Sequence, residues 1–210
     1  MTKLYNKFGY LLIATMFIAL AGCSSDDNNN VNPYPNDDDT STIGNYFNVK
    51  SGKVVYSTNG IEDDNPDVVL YFDDYGKKLR CENLNNTQIV DEDANLGVVL
   101  YPEWMEYYST PAAMLGSAVR GIYHFTMDDL YESYKLVYPD ITKGTETIAG
   151  KSCNIYKWSV AGFAKYENAG WNGITFLYRE EALGSVQEWR VKEFSEESVS
   201  ADKFVIPDGY

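Results

Sequence analysis

Short runs of β-branched and aromatic residues, separated by Gly, Asn and Asp, recur along the chain from about residue 50 onward. Around Trp189, the side chains at 187, 189 and 191 alternate with charged ones at 188, 190 and 192. A period of two is typical of a strand with one buried and one solvated face. The pattern predicts strands at residues 54–56, 68–72, 77–84, 87–90, 96–101, 152–160, 173–178, 186–194 and 204–206. Strands at this spacing favour a meandering antiparallel sheet.

Helical periodicity is strongest after Thr126, which forms a capping-box-like start with Asp129. One face of this predicted helix carries Met127, Leu130, Tyr131, Tyr134 and Val137. Pro139 ends it. A second, weaker helix is predicted over residues 105–119, broken at Pro111. Many strands with one or two helices on one face predict an α+β domain.

The first 23 residues have the order of an export signal. Lys3 and Lys7 precede the apolar run 10–20, which is shorter than the ~20 residues of a membrane-spanning helix. The junction Leu20-Ala21-Gly22-Cys23 resembles the lipobox of bacterial lipoproteins. That resemblance implies removal of residues 1–22 and acylation of Cys23, which would anchor the protein in a membrane. The alternatives are an ordinary cleaved signal or an N-terminal membrane anchor.

Residues 23–45 are rich in Asp, Asn and Ser and contain no recurring apolar positions. Such a stretch cannot offset the entropy of ordering, so a disordered tether is predicted. The Ser/Asp cluster 24–27 resembles the surface-export signal of Bacteroidetes lipoproteins. We therefore expect an outer-membrane lipoprotein, at the cell surface in preference to the periplasmic face.

The charge balance is strongly acidic, with 17 basic and 31 acidic residues. Loss of Lys3 and Lys7 would take the net charge from −14 to −16. Such a surface repels phosphate backbones and carries no basic stripe, so no nucleic-acid partner is expected. Residues 46–210 fit one domain by length.

Candidate chemistry is sparse. Cys81 and Cys153 could form a disulfide or could be small buried residues. His124 is the only histidine. Segments 63–67 and 91–95 alternate Asp and Asn but lack the Gly and Glu of a calcium loop. No metal site and no cofactor are predicted.

Motifs that carry catalysis are not found in the sequence. It contains no Gly-x-Ser-x-Gly elbow, no His-Glu-x-x-His and no phosphate-binding glycine loop. Neighbouring acids on one strand or helix do not face each other across a cleft as a glycosidase requires. We therefore expect a non-enzymatic protein.

Five segments resemble a family of uncharacterised Bacteroidetes lipoproteins: residues 51–56, 70–78, 144–153, 171–174 and 204–210. That family is thought to share the open half-barrel of the lipoprotein carriers LolA and LolB. The resemblance covers residues 46–210 and implies a curved antiparallel sheet, helices across its mouth and an apolar cavity between them.

The resemblance also suggests residues for the cavity wall. The candidates are aromatic or Met residues: Trp104, Met105, Tyr108, Met114, Met127, Tyr131, Trp158 and Trp171. Packing in an ordinary core is the alternative for each of them. If they line a cavity, an apolar ligand or lipid is the expected partner.

A surface module that binds a glycan or a protein is the competing hypothesis. Tyr166 and Trp171 would then be exposed, with the predicted loop 162–170 as the binding site. The two hypotheses differ in one observable. A lipid binder needs Trp104, Met114 and Trp158 turned inward around a void, whereas a surface binder shows its aromatic side chains together on the outside.

Overall fold

The computed structural model describes residues 45–59 and 67–210. The predicted signal peptide at residues 1–22, the lipid attachment at Cys23 and nearly all of the 23–45 tether lie outside these residues and stay predictions. Residues 60–66, which hold most of the first Asp/Asn segment, also lie outside. No helix in the described part is long and apolar enough to cross a membrane.

Eleven strands of the described residues form one antiparallel sheet. They are β1 (Gly52–Asn59), β2 (Val68–Asp73), β3 (Lys78–Glu82), β4 (Thr87–Asp91), β5 (Leu96–Tyr101), β6 (Glu106–Thr110), β7 (Thr142–Ile148), β8 (Lys151–Val160), β9 (Ala164–Trp171), β10 (Ile174–Ala182) and β11 (Ser185–Ser195). Their order in the sheet is β6-β5-β4-β3-β2-β1-β11-β10-β9-β8-β7. Two meanders are thus joined by pairing of the first strand with the last.

The sheet is not closed, so β6 and β7 are its two edges. Two helices connect these edges, α1 (Ala112–Tyr123) and α2 (Met127–Val137). Tyr123 of α1 packs on Tyr56 of β1, with ring centroids 5.2 Å apart. The cross-strand pairs from β1 through β11, β10 and β9 to β8 place Tyr56 and Tyr156 on the same face of the sheet. Tyr156 contacts the Tyr131 ring of α2. Both helices therefore lie on one face, here called the helix face. An open antiparallel sheet with two helices confirms the predicted α+β class.

Most of the core lies between the sheet and α1, where fully buried side chains include Tyr56, Leu70, Phe72 and Leu79. A second cluster lies on the opposite face and centres on Phe204. These clusters bury apolar side chains of most of the strands, which is the main stabilising contribution.

Cys81 and Cys153 are both buried and free, so the disulfide alternative is wrong. The Cys81 thiol donates to the Tyr123 hydroxyl at 3.2 Å. Burial raises the pKa of each thiol to about 11. Neither is a thiolate at neutral pH, and both serve as packing residues.

Three sequence-based element predictions are wrong. Residues 106–110, placed in a helix, form β6, and α1 begins only after Pro111 and runs on to Tyr123. Most of the predicted loop 162–170 belongs to a strand, β9, which spans Ala164–Trp171. The predicted closing strand 204–206 is not a strand, because Phe204 ends a 3-10 helix, Ala201–Phe204, which packs on β3 and β4, and residues 205–206 follow it without strand structure. The last segment covers the sheet face instead of extending its edge.

Candidate functional site

The eight predicted cavity residues do not come together. Trp104, Tyr108 and Met114 are 57%, 60% and 71% exposed, and Met105 is exposed as well. They lie on the turn before β6, on β6 and on α1. The structure thus places these four residues on the surface and not around an interior space.

The remaining four occupy three different environments. Met127, the first residue of α2, is buried, and Tyr131 of the same helix packs against Tyr156, so both are ordinary core residues. Trp171 points to the opposite face of the sheet and packs against Phe194 at 5.4 Å between ring centroids. Trp158 lies on the helix face and remains partly accessible.

Trp158 and Tyr166 form a stacked pair on the helix face. They are direct cross-strand partners on β8 and β9, with ring centroids 5.2 Å apart and ring planes 13° apart. From α2 and the residue after it, Tyr134 and Tyr138 contact the indole at 5.7 and 6.4 Å. Aromatic neighbours of this kind hold the Trp158 ring in one orientation.

A small open hollow of about 220 Å³ is lined by residues of the same two strands. Strand alternation places the side chains of Lys157, Ser159, Lys165 and Glu167 on the sheet face opposite the Trp158 and Tyr166 rings, so most of the polar wall of the hollow faces away from the stacked pair. Its walls mix aromatic and polar side chains: Asp140, Thr142, Lys157, Trp158, Ser159, Lys165, Tyr166 and Glu167. The two carboxylates and the two ammonium groups balance, so the hollow carries no net charge.

Local contacts fix the polar wall of the hollow. Asp140 Oδ2 accepts a hydrogen bond from the Ser159 amide at 3.1 Å, just where β8 runs past the end of β7. Lys157 Nζ lies 3.0 Å from Glu167 Oε2 across the β8–β9 pair. Both hydrogen-bond donors and acceptors are therefore presented at defined positions.

An aromatic row continues from the hollow across β10 and β11. The Tyr166 and Tyr178 hydroxyls donate to the two oxygens of Glu180, at 3.2 and 3.1 Å. Trp189 meets the Tyr178 ring edge-on at 5.5 Å. Burial raises the pKa of Tyr166 to about 12, and the Glu180 carboxylate adds to that shift. Both phenols are therefore neutral donors at physiological pH.

The sequence pattern predicts Trp158 on a strand and Tyr166 on a loop, so it does not bring the two residues together. The available signal for a strand is short, since only Lys165 and Glu167 alternate with an apolar ring, that of Tyr166. Glu180 could not be recognised from the sequence, because Tyr178 is its neighbour on the same strand but Tyr166 reaches it only through strand register.

The other residues considered for metal binding or catalysis have ordinary structural roles. Within the described ranges, no three His, Cys, Asp or Glu side chains gather closely enough to hold a metal ion. Asp91 and Asp93 pair with Lys78 at 3.2 and 3.9 Å. His124 packs between aromatic rings near the start of the domain, and burial lowers its pKa.

Comparisons with known proteins do not identify a family. No protein-family profile and no curated protein sequence matches the chain. Among solved structures, an uncharacterized conserved protein from Thermus thermophilus is similar, with a TM-score of 0.47 and 11% identity over 76% of this chain and 86% of that one. A likeness of this size carries no functional argument.

Proposed function

We propose that this protein is a lipid-anchored, non-catalytic binding module of the bacterial outer membrane, displayed at the cell surface through Cys23. Its open sheet curves as a half-barrel, and its ligand is a neutral oligosaccharide held at the Trp158–Tyr166 hollow. The observation that supports the ligand most directly is a small, charge-balanced, open hollow lined by the two strands that carry the stacked Trp158–Tyr166 pair.

Size favours a ligand that inserts one small ring. Pockets that enclose a drug-sized molecule measure about 300–1,000 Å³, whereas this hollow measures about 220 Å³ and opens to solvent. One sugar ring of a longer chain can enter while the rest of the chain stays outside. Aromatic side chains suit this task because they offer a rigid apolar surface at low conformational cost.

Charge and hydrogen bonding favour a neutral, hydroxyl-rich ligand. The hollow presents carboxylate acceptors on Asp140 and Glu167 and ammonium donors on Lys157 and Lys165. A sugar hydroxyl both donates and accepts, so it can use either kind of group. An anionic or cationic ligand would meet one like charge for each opposite charge.

The apolar-ligand hypothesis has less support. It requires Trp104, Met114 and Trp158 to share an interior, and the first two are exposed. A second surface hollow, of about 370 Å³, is lined by Arg80, Asp202, Lys203 and the segment 205–208, which is also a mixed polar wall.

A glycan array tests the proposal. The full chain should bind at least one class of neutral oligosaccharide. Trp158→Ala should lose that binding, because it removes a residue that lines the hollow, while Trp104→Ala on the far edge should keep it. Circular dichroism would show that both variants are folded. Absence of binding to every neutral glycan, or equal loss in the two variants, would overturn the proposal.

A further inference from the structure

Strand β6 is an edge of the sheet that lacks the usual protection. Natural edge strands are blunted by Lys or Pro, by a bulge, or by a covering element. The sequence of β6 is Glu-Tyr-Tyr-Ser-Thr, and its register with β5 runs without interruption from Tyr101↔Glu106 to Gly97↔Thr110. Four of its five residues are exposed. Its outer backbone groups are therefore positioned to pair with one more strand.

Aromatic side chains gather along this edge. Tyr101 stacks on Trp104 at 5.4 Å between ring centroids and meets Tyr108 edge-on at 5.7 Å. Tyr107 alternates with Tyr108 and therefore lies on the other face of the sheet. An added strand would meet an aromatic side chain on each of its faces.

The negative charge at this edge favours a cationic partner. Glu103 and Glu106 are exposed and take part in no ion pair among residues 45–59 and 67–210. Carboxylates beside exposed Trp and Tyr rings attract Lys and Arg, which also gain from contact with the ring faces. A second copy of this acidic chain would instead be repelled.

We infer that β6 is completed by an extended, cationic segment of another protein, which adds as a twelfth strand and places its Lys or Arg side chains beside Glu103 and Glu106. This protein-binding edge is separate from the Trp158–Tyr166 hollow. Either proposal can fail without the other.

Fluorescence anisotropy with a labelled peptide, Lys-Thr-Val-Arg-Val-Thr-Lys, tests the inference on the full chain. Binding should weaken as salt rises, because the ion pairs are exposed. Tyr108→Ser should weaken it by up to about fivefold, the value of one cross-strand aromatic contact. Glu106→Gln should flatten the salt dependence. Glu146→Gln on β7, the other edge, is the matched control and should change nothing.

Strand pairing is distinguished from simple charge attraction by N-methylated peptides. Methylation at the odd or at the even positions removes the amide donors on one edge of the peptide, so one of the two should lose binding while the other keeps it. Equal binding of both, or binding of an acidic twin peptide, would overturn the inference. So would failure of the cationic peptide to bind, or self-association of the chain that strengthens with salt, which would make a second copy the occupant.

Discussion

The two edges of the sheet are built in opposite ways. On β7, Lys143 Nζ lies 3.7 Å from Asp128 of α2 and 5.3 Å from the Tyr156 ring centroid. Glu146 lies 3.0 Å from Arg190, and Ile148 is buried. On β6, the exposed Tyr108 contacts the Tyr101 ring of β5, and Glu106 forms no ion pair within the described part of the chain.

Helix placement explains this difference. Helix α2 packs against the β7–β8 end of the helix face, so the charges of β7 have partners on a neighbouring element. Helix α1 lies over β4 and β5, one strand inside the β6 edge. One edge is therefore protected as in a monomeric protein, whereas the other is left available, which is the arrangement expected of a docking strand.

The largest expected effect comes from tightening the packing beneath α2. A Cβ at position 170 on β9 would overlap the Phe125 ring, which is buried in the connection before α2. Gly170→Ala should therefore destabilise the fold by about 3 kcal/mol. Urea unfolding measures this.

Gly97→Ala next to β6 is the matched change. A Cβ there would lie 2.8 Å from the Thr110 carbonyl oxygen, at the end of the edge strand. Because the outer side of β6 is free, the strand can move away, and the cost should be only about 1 kcal/mol. Equal costs for the two variants would contradict the difference between the two ends of the sheet.

The next effect comes from the acid that ties α2 to the sheet. Asp128 accepts hydrogen bonds from Tyr156 at 2.5 Å and from Asn154 at 2.9 Å. Asp128→Ala leaves the Tyr156 hydroxyl without its partner and should cost about 2 kcal/mol in the free energy of unfolding.

Glu106→Ala on β6 provides the comparison. This carboxylate is exposed and without an ion pair in the described structure, so its removal should change the free energy of unfolding by less than about 0.5 kcal/mol. A loss as large as that of Asp128→Ala would show that β6 is held by contacts of its own.

Alkaline pH should lower the free energy of unfolding through ionisation of Tyr166, which lines the hollow. Its pKa is raised from 10.0 to about 12 in the folded chain, so the unfolded chain loses the phenolic proton first. The stabilisation is complete below pH 10 and is lost as pH rises toward 12. Urea unfolding between pH 8 and 11 should show a shallower decline for Tyr166→Phe than for the unaltered chain. Identical declines would exclude this residue as a cause.

Most strands could be predicted from the sequence because alternation is a local property. Strands such as β1, β2 and β11 carry the signal within their own residues. Strand β9 could not be predicted, because its face toward Phe125 and α2 carries small and polar residues, including Gly170, instead of large apolar ones. Strand β6 was hidden because an edge needs no apolar side, and its Tyr-Tyr pair fits a helix equally well.

The candidate site was less predictable than the fold. Trp158 and Tyr166 meet through cross-strand register. Tyr134 and Tyr138, which contact Trp158, belong to α2 and the residue after it and are separated from β8 in the chain by β7. Such contacts depend on tertiary structure. The family resemblance pointed instead to Trp104 and Met114, which the fold places on its outer surface.

The most direct test of the account uses the four tryptophans of the chain as probes. With 5-fluorotryptophan in the protein, fluorine NMR gives one signal for each, assigned by Trp→Phe variants. A neutral oligosaccharide should move the Trp158 signal and leave those of Trp104 and Trp171 unchanged. If Trp158 stays unmoved with every oligosaccharide, while a fatty acid or phospholipid moves Trp158 and Trp189 together, the protein binds an apolar ligand inside its fold, and the surface-binding account is contradicted.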